Sequence, residues 1–189
     1  MAKKQFIGIK RIWYSDVITT AVTAAAIKAL LADKEKTIEV TNSHQDTWGY
    51  EESDPETTEY VNELTGQTYY IDVTKGTIPT VSFTMGEYSY LDKAALQGGM
   101  AITAAGTEAT TEETAVGWKR PETPEIIEKA IIAQTKTGRY AVLTKANIIG
   151  KGNFVEKNIG LGVTAAALEN PGIGSEFWYD REAVEGATE

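Results

Sequence analysis

Between Glu125 and Leu168 the apolar positions alternate instead of recurring at helical spacing, which predicts strands. Glu125–Thr135 and Tyr140–Ile149 are two arms of nearly equal length around Lys136-Thr137-Gly138-Arg139, rich in β-branched residues, with Gly138 supplying the positive φ of a short turn. The spacing predicts a β-hairpin. Neither face of it is cleanly polar: Ile126, Glu128, Ala130, Ile132 and Gln134 share one side of the first arm, and Ile127, Lys129, Ile131, Ala133 and Thr135 the other. A half-exposed antiparallel sheet separates apolar from polar, so a ribbon apolar on both faces requires a second cover, from a helix of its own chain or a neighbouring subunit. Gly150-Lys151-Gly152-Asn153 reads as a turn. From Phe154 to Leu168, Val155, Ile159, Leu161, Val163 and Ala165 alternate with Glu156, Asn158, Gly160, Gly162 and Thr164. Glycines at alternate positions mark a bulge, a bend or the close approach of another chain.

The same rules place a first strand over Phe6–Tyr14 and a helix from about Thr20 to Ala32, capped by Thr19 or Thr20. Two further strands span Gln67–Thr74 and Ile78–Tyr88, joined at Lys75-Gly76, and in the second Val81, Phe83 and Met85 oppose Thr80, Ser82 and Thr84. Ser89-Tyr90-Leu91-Asp92 forms a capping box ahead of a short helix stopped by Gly98-Gly99. Ala101–Thr114 reads as a loop or arm, Glu176–Tyr179 as a terminal strand, and about 180–189 as a loose acidic tail. The stretch 41–67 is the most polar part of the chain and reads as a long functional loop, with Trp48, Tyr50 and Tyr60 as side chains able to dock on a partner. The expected fold is a single, mainly β domain: an antiparallel β-sandwich or barrel-like core with one or two flanking helices and long loops.

Composition narrows the chemistry. At 189 residues and 42% hydrophobic content the chain can bury a core, and it contains no cysteine, which removes disulfides, thiol catalysis and thiolate metal sites. The basic N-terminus lacks the apolar run of a signal peptide, and no stretch is long and apolar enough to span a bilayer, so neither export nor a membrane role is expected. A net charge of −9 opposes static nucleic-acid binding, which needs clustered Lys and Arg, but suits a surface past which a polyanion must slide.

One histidine, His44, rules out catalytic triads and metal sites needing several imidazoles, and His44-Gln45-Asp46 reads as a locally bonded loop segment. Asp46, Glu51, Glu52, Asp54, Glu56 and Glu59 lack the spacing of an EF-hand, leaving a solvated acidic loop. Gly150-Lys151-Gly152 lacks the rest of a phosphate loop. No enzyme activity, cofactor or metal is expected.

Tyr50-Glu-Glu-Ser-Asp-Pro-Glu-Thr-Thr-Glu-Tyr60, then Leu64-Thr-Gly-Gln-Thr-Tyr69, a strand ending at Gly86-Glu-Tyr88, the helix before Gly98-Gly99 and the late hairpin with its glycine-dotted strand are similar in order to the major tail tube proteins of long-tailed bacteriophages. The resemblance runs from about Thr41 to Asn170. It implies a homo-oligomer of stacked hexameric rings forming a virion tail tube, assembled in the host cytoplasm. It implies contacts with tape-measure, terminator and baseplate or tail-tip proteins, and DNA crossing an acidic lumen without specific binding. Trp48, Tyr50, Glu51, Glu52, Asp54, Tyr60, Ile131, Tyr140, Gly160 and Gly162 are the expected subunit or ring contacts. Two other readings are a β-sandwich module binding a glycan or protein through Trp48, Tyr50 and neighbouring aromatics, and a carboxylate-using hydrolase.

Overall fold

The computed structural model describes residues 5–187, so the basic Met1–Lys4 and the last two residues of the expected tail lie outside the described residues. The chain is mainly β and antiparallel. Its main sheet has eight strands in the order β2-β1-β9-β10-β11-β6-β3, with β12 paired to β10 beside that path. These strands are β1 (Ile9–Ser15), β2 (Thr37–Glu39), β3 (Gly49–Glu52), β6 (Pro79–Met85), β9 (Ile127–Thr135), β10 (Tyr140–Val155), β11 (Asn158–Ala167) and β12 (Glu176–Tyr179). Two small sheets stand apart, β4 (Glu56–Val61) with β5 (Thr68–Lys75) and β7 (Met100–Ile102) with β8 (Gly117–Lys119). The helices are α1 (Ala24–Ala32), α2 (Tyr90–Gln97) and α3 (Arg181–Glu185).

The β9–β10 hairpin forms around Gly138, at φ 88°. Its register places Ile131 opposite Leu143 and Ile132 opposite Val142, then shifts between Leu143 and Ala146. That shift is a β-bulge, and it reverses which positions of β10 face which side. Up to Leu143, β10 pairs with β12, and from Ala146 onward with β11. The bulge explains why neither face of this hairpin shows a clean alternation in sequence.

Both faces are covered by the chain itself. One joins Ile12, Tyr14, Val81, Phe83, Leu96, Ile131, Leu143, Ile148, Leu161 and Val163 in an interior cluster. The other joins Trp13, Ile27, Ala130, Ile132, Tyr140, Val142 and Val184, on which α1 and α3 lie. The sheet curls far enough for β3 to meet β12: the Tyr50 ring stands edge-on to Trp178 at 5.5 Å, and its hydroxyl donates toward Glu176. The hairpin's charges sit at its margin, Lys129 with Asp16 at 2.7 Å and Lys145 with Glu128 at 3.1 Å.

Several expectations are corrected. Gly150–Asn153 is not a turn: β10 continues to Val155, and the chain reverses at Glu156-Lys157, both with positive φ (48° and 69°), as a two-residue hairpin loop requires. Ile159 therefore lies opposite Phe154 across this hairpin, and Val155, opposite Asn158, does not share its face. The 41–67 stretch contains β3 and β4 and is not a continuous loop. The two strands joined at Lys75-Gly76 are present as β5 and β6, and they pair with different partners, β5 with β4 and β6 with β11 and β3. The first helix is capped by Thr23, whose side chain accepts from the Ala26 N–H. The C-terminal segment is docked through residue 187, with Val184 buried and Lys28 Nζ donating to the Ala187 carbonyl at 2.7 Å. The Ser89–Asp92 capping box is present in full.

Thr144, in the bulge, has no exposed surface. Its hydroxyl donates to the Gly174 carbonyl at 2.6 Å and accepts from Asn170 Nδ2 at 3.0 Å, while its backbone binds Ile18 and Ser175. Thr144→Val keeps the shape and orphans both partners, so it should cost about 1–3 kcal/mol in urea unfolding. Gly150 and Gly152 give a second, internally controlled comparison. A Cβ on Gly150 would lie 2.3 Å from the Leu96 carbonyl oxygen at the end of α2, whereas one on Gly152 would meet only Ile159 Cγ2 at 3.9 Å. Gly150→Ala should destabilise by about 1–3 kcal/mol, and Gly152→Ala should leave stability unchanged or raise it by up to about 1 kcal/mol in the same assay.

Candidate self-association surface

The largest group of exposed apolar side chains close together in sequence lies on β4–β5; others are exposed at Ile126, Ile149, Phe154 and Ile159 on and beside the far ends of the β9–β10–β11 strands. Asn62 turns the hairpin, accepting at its carbonyl from Gly66 N–H (2.7 Å) and at its side chain from Leu64 N–H (2.9 Å), with Gly66 at φ 68°. The register puts Tyr60 opposite Tyr70 and Thr58 opposite Asp72 on one face, and Glu59 opposite Ile71 and Thr57 opposite Val73 on the other. Leu64 at the tip is 95% exposed, Tyr69 70% and Val73 59%. At the root, Ile78 N–H donates to Ser53 Oγ at 2.9 Å and Ser53 N–H to the Ile78 carbonyl at 3.2 Å. Among the described residues no hydrogen bond, ion pair or ring contact joins 54–77 to the remainder of the chain. The result is an arm.

The arm is also acidic. Gly49–Lys75 carries Glu51, Glu52, Asp54, Glu56, Glu59, Glu63 and Asp72 against a single Lys75, a large part of the −9 surplus. Glu56 is paired with Lys75 at 3.2 Å and Glu59 accepts from the Thr68 hydroxyl. Where the arm leaves the body, the Tyr50 hydroxyl lies 2.7 Å from Glu52 Oε1 and 2.9 Å from Glu176 Oε1, and Trp178 Nε1 donates to the same Glu176 oxygen at 2.8 Å. Phe6 meets Trp178 at 4.9 Å, completing an aromatic buttress under the root.

Of the expected contact residues, Glu51, Glu52, Asp54 and Tyr60 are brought together on the arm and its root, with Tyr50 at the root. Trp48 is half-buried and packs on the interior cluster. Ile131 (1% exposed) and Tyr140 (5%) belong to the two cores and have no surface to offer a neighbour. The close approaches at Gly160 and Gly162 come from within the chain: a Cβ at Gly160 would meet the Met85 carbonyl at 2.7 Å, and one at Gly162 the Asn153 side chain at 3.1 Å. Sequence reasoning missed Tyr69, Tyr70, Ile71 and Val73, whose alternation reads as an ordinary strand.

Two other surfaces bear on association. The path of the main sheet ends in β2 and β3, each paired on one side only. The face of β11–β6–β3 opposite the interior cluster carries the half-buried Thr80, Ser82 and Thr164, while Thr84 and Gly162 on the same face are buried beside Asn153 of β10, which donates to the Thr84 hydroxyl. His44 stands beside this sheet, with its N–H donating to the Thr84 carbonyl and its Nε2 buried without a partner. Among the described residues no group of three or more His, Cys, Asp or Glu could hold a metal ion, and no helix is long and apolar enough to cross a membrane.

The chain matches no protein-family model and no curated protein sequence.

Burial, together with the Asp92 carboxylate to which it donates at 2.5 Å, pushes the Tyr14 phenol far above the usual phenol range. Burial, Glu52 and Glu176 do the same to Tyr50. A phenol whose folded pKa is raised contributes stability that is complete below its unfolded pKa of about 10 and is lost as pH rises beyond it. Urea midpoints should therefore hold from neutral pH to about 10 and fall above it. Tyr14→Phe should flatten that alkaline decline, because the variant has no phenol there to ionise on unfolding.

Proposed function

We propose that this chain is a structural subunit that self-assembles into stacked hexameric rings, forming a phage tail tube through which DNA leaves the virion. The observation that carries the proposal is the β4–β5 arm, a two-stranded sheet with apolar side chains exposed on both faces and no cover from its own chain. An isolated two-stranded hairpin is marginally stable in water, and exposed apolar surface of this kind marks an interaction site. The first strand of the arm, β4, lies in the 41–67 stretch that, by the resemblance to tail tube proteins, would reach to the next subunit or ring, and β5 follows directly after it.

Other features are consistent with this role. The one-sided edges β2 and β3 are available for sheet-to-sheet joining around a ring. The half-exposed hydroxyls of Thr80, Ser82 and Thr164 on β6 and β11 are compatible with a lumen wall, because they offer phosphates no row of cations to bind. In this reading the tape-measure, terminator and baseplate or tail-tip proteins are the partners at the ends of the tube. A glycan-binding role draws less support, since Trp48 packs inward and the Tyr50 hydroxyl is engaged by two carboxylates.

Multi-angle light scattering and negative-stain microscopy test the proposal directly, with rings or tubes bearing a central hole as the expected result and a monomer at every accessible concentration as the refuting one. Replacing 54–77 by a short glycine turn, which leaves β3 and β6 paired, should abolish assembly while changing monomer stability by less than about 1 kcal/mol.

A further inference from the structure

The arm needs a counterpart of opposite charge, and the chain carries one on the surface formed by α2 and β8. Trp118 is fixed by its Nε1–H, which donates to the Gly98 carbonyl at 2.9 Å. Lys93 Nζ lies 4.3 Å from the indole centroid and Arg120 Cζ 5.4 Å from it. Neither cation has a carboxylate within ion-pair distance among the described residues. Three carboxylates of this region are committed elsewhere. Asp92 binds Ser89 and Tyr14, Glu125 accepts from the Gly99 N–H, and Glu122 faces Lys119 at 3.7 Å. Tyr90, one helical turn from Lys93, and Val116, two residues before Trp118, are exposed beside the cluster and add apolar area to it.

We propose that the arm of one copy docks on the Lys93–Trp118–Arg120 cluster of a second copy, its carboxylates meeting the two cations while its tyrosines cover the indole. The inference rests on the self-assembly reading above and goes beyond it by assigning the receiving surface. Complementarity is of two kinds. An arm rich in carboxylates complements two cations left without anionic partners, and exposed Tyr60 and Tyr70, on the same face as Asp72, complement a half-buried Trp with exposed Tyr90 and Val116. Interfaces use this combination of aromatic anchors with Arg, the charges fixing partner and register. Glu63 and Asp72 are the arm carboxylates to test, since neither has a side-chain hydrogen bond or ion pair within the chain.

The test is a charge swap on the full chain, read by light scattering and by the concentration at which assemblies appear. Lys93→Glu with Arg120→Glu should raise that concentration about tenfold or more, and so should Glu63→Lys with Asp72→Lys. Mixing the two variant proteins in equal amounts should restore assembly, because each reversed surface then meets its complement on the other copy. Thermal melts of each variant establish that the fold is intact, and Lys93→Gln with Arg120→Gln serves if the reversal disturbs it. Assembly of either variant at wild-type concentration, or failure of the mixture to recover, overturns the docking while leaving ring formation standing. A wild-type chain that never assembles overturns both.

Discussion

The bulge at Thr144–Lys145 is the constraint on which the remaining architecture depends. A regular strand keeps one set of positions on one face, so it can serve two cores only by exchanging those sets partway along. β10 does this. Before the bulge Leu143 faces the interior cluster and Val142 the helix-covered one; after it Ala146 and Ile148 face the interior. The exchange coincides with the change of partner from β12 to β11, and the increased local twist of a bulge lets the sheet curl until Tyr50 on β3 reaches Trp178 on β12. The backbone groups that a bulge removes from the ladder are taken up by Ile18 and Ser175, and the Thr144 hydroxyl binds Gly174 and Asn170. The loops carrying those residues are thereby tied to the middle of the sheet.

Two hairpins of similar apolar content meet opposite fates. β9–β10 is apolar on both sides, and from its turn to Ala130 and Ile148 it is enclosed by its own chain, with α1 and α3 on one face and the interior cluster on the other. That part demands no neighbour, whereas Ile149 and Phe154 farther along β10 are exposed. β4–β5 is also apolar on both sides, through Tyr60 and Tyr70 on one and Ile71 and Val73 on the other, and the chain supplies no cover for either. Burying an aromatic or large aliphatic side chain contributes roughly 1.5–3 kcal/mol, so docking several of these on a partner supplies a driving force that the arm lacks alone. The uncovered apolar surface is thus concentrated on the arm and on the far end of β10–β11, and the buried middle of the central ribbon is complete within the chain.

The legible features were those set by local rules. Gly138 marks its turn because a short hairpin loop needs positive φ, and Ser89–Asp92 marks its helix because a capping box satisfies two backbone donors within one turn. The reversal at Glu156-Lys157 was not legible, since neither residue favours the left-handed region; Gly150 and Gly152 nearby carried the stronger turn signal while lying inside a strand. Gly150 is small for another reason, the main chain of α2 lying directly over it, and such a contact joins residues too distant in sequence for local pattern to disclose. Ile131 and Tyr140 looked like candidate contacts because a two-sided apolar strand has the same sequence whether a helix of its own chain or a neighbour covers it. For the arm, acidity and tyrosines were visible, but its separation from the body was not, because that depends on which strands decline to pair.

The charge of the arm also restricts the symmetry any association can have. In a two-fold dimer formed through the arms, the same surface would meet itself, setting Asp72 of one copy near that of the other on the tyrosine face, or Glu59 near Glu59 on the opposite face. Like charges brought together at close range oppose such pairing, and they do so most at the low salt where surface electrostatics is strongest. The arm is thus disfavoured as its own partner, which is consistent with the proposed docking on a different, cationic surface of another copy. A contact between unlike surfaces leaves one of each unsatisfied at every step, so it would propagate until rotation closes a ring or translation builds a filament. In the proposed assembly, an acidic surplus placed on a projecting hairpin instead of spread over the body would oppose closed dimers and leave continued addition of subunits open.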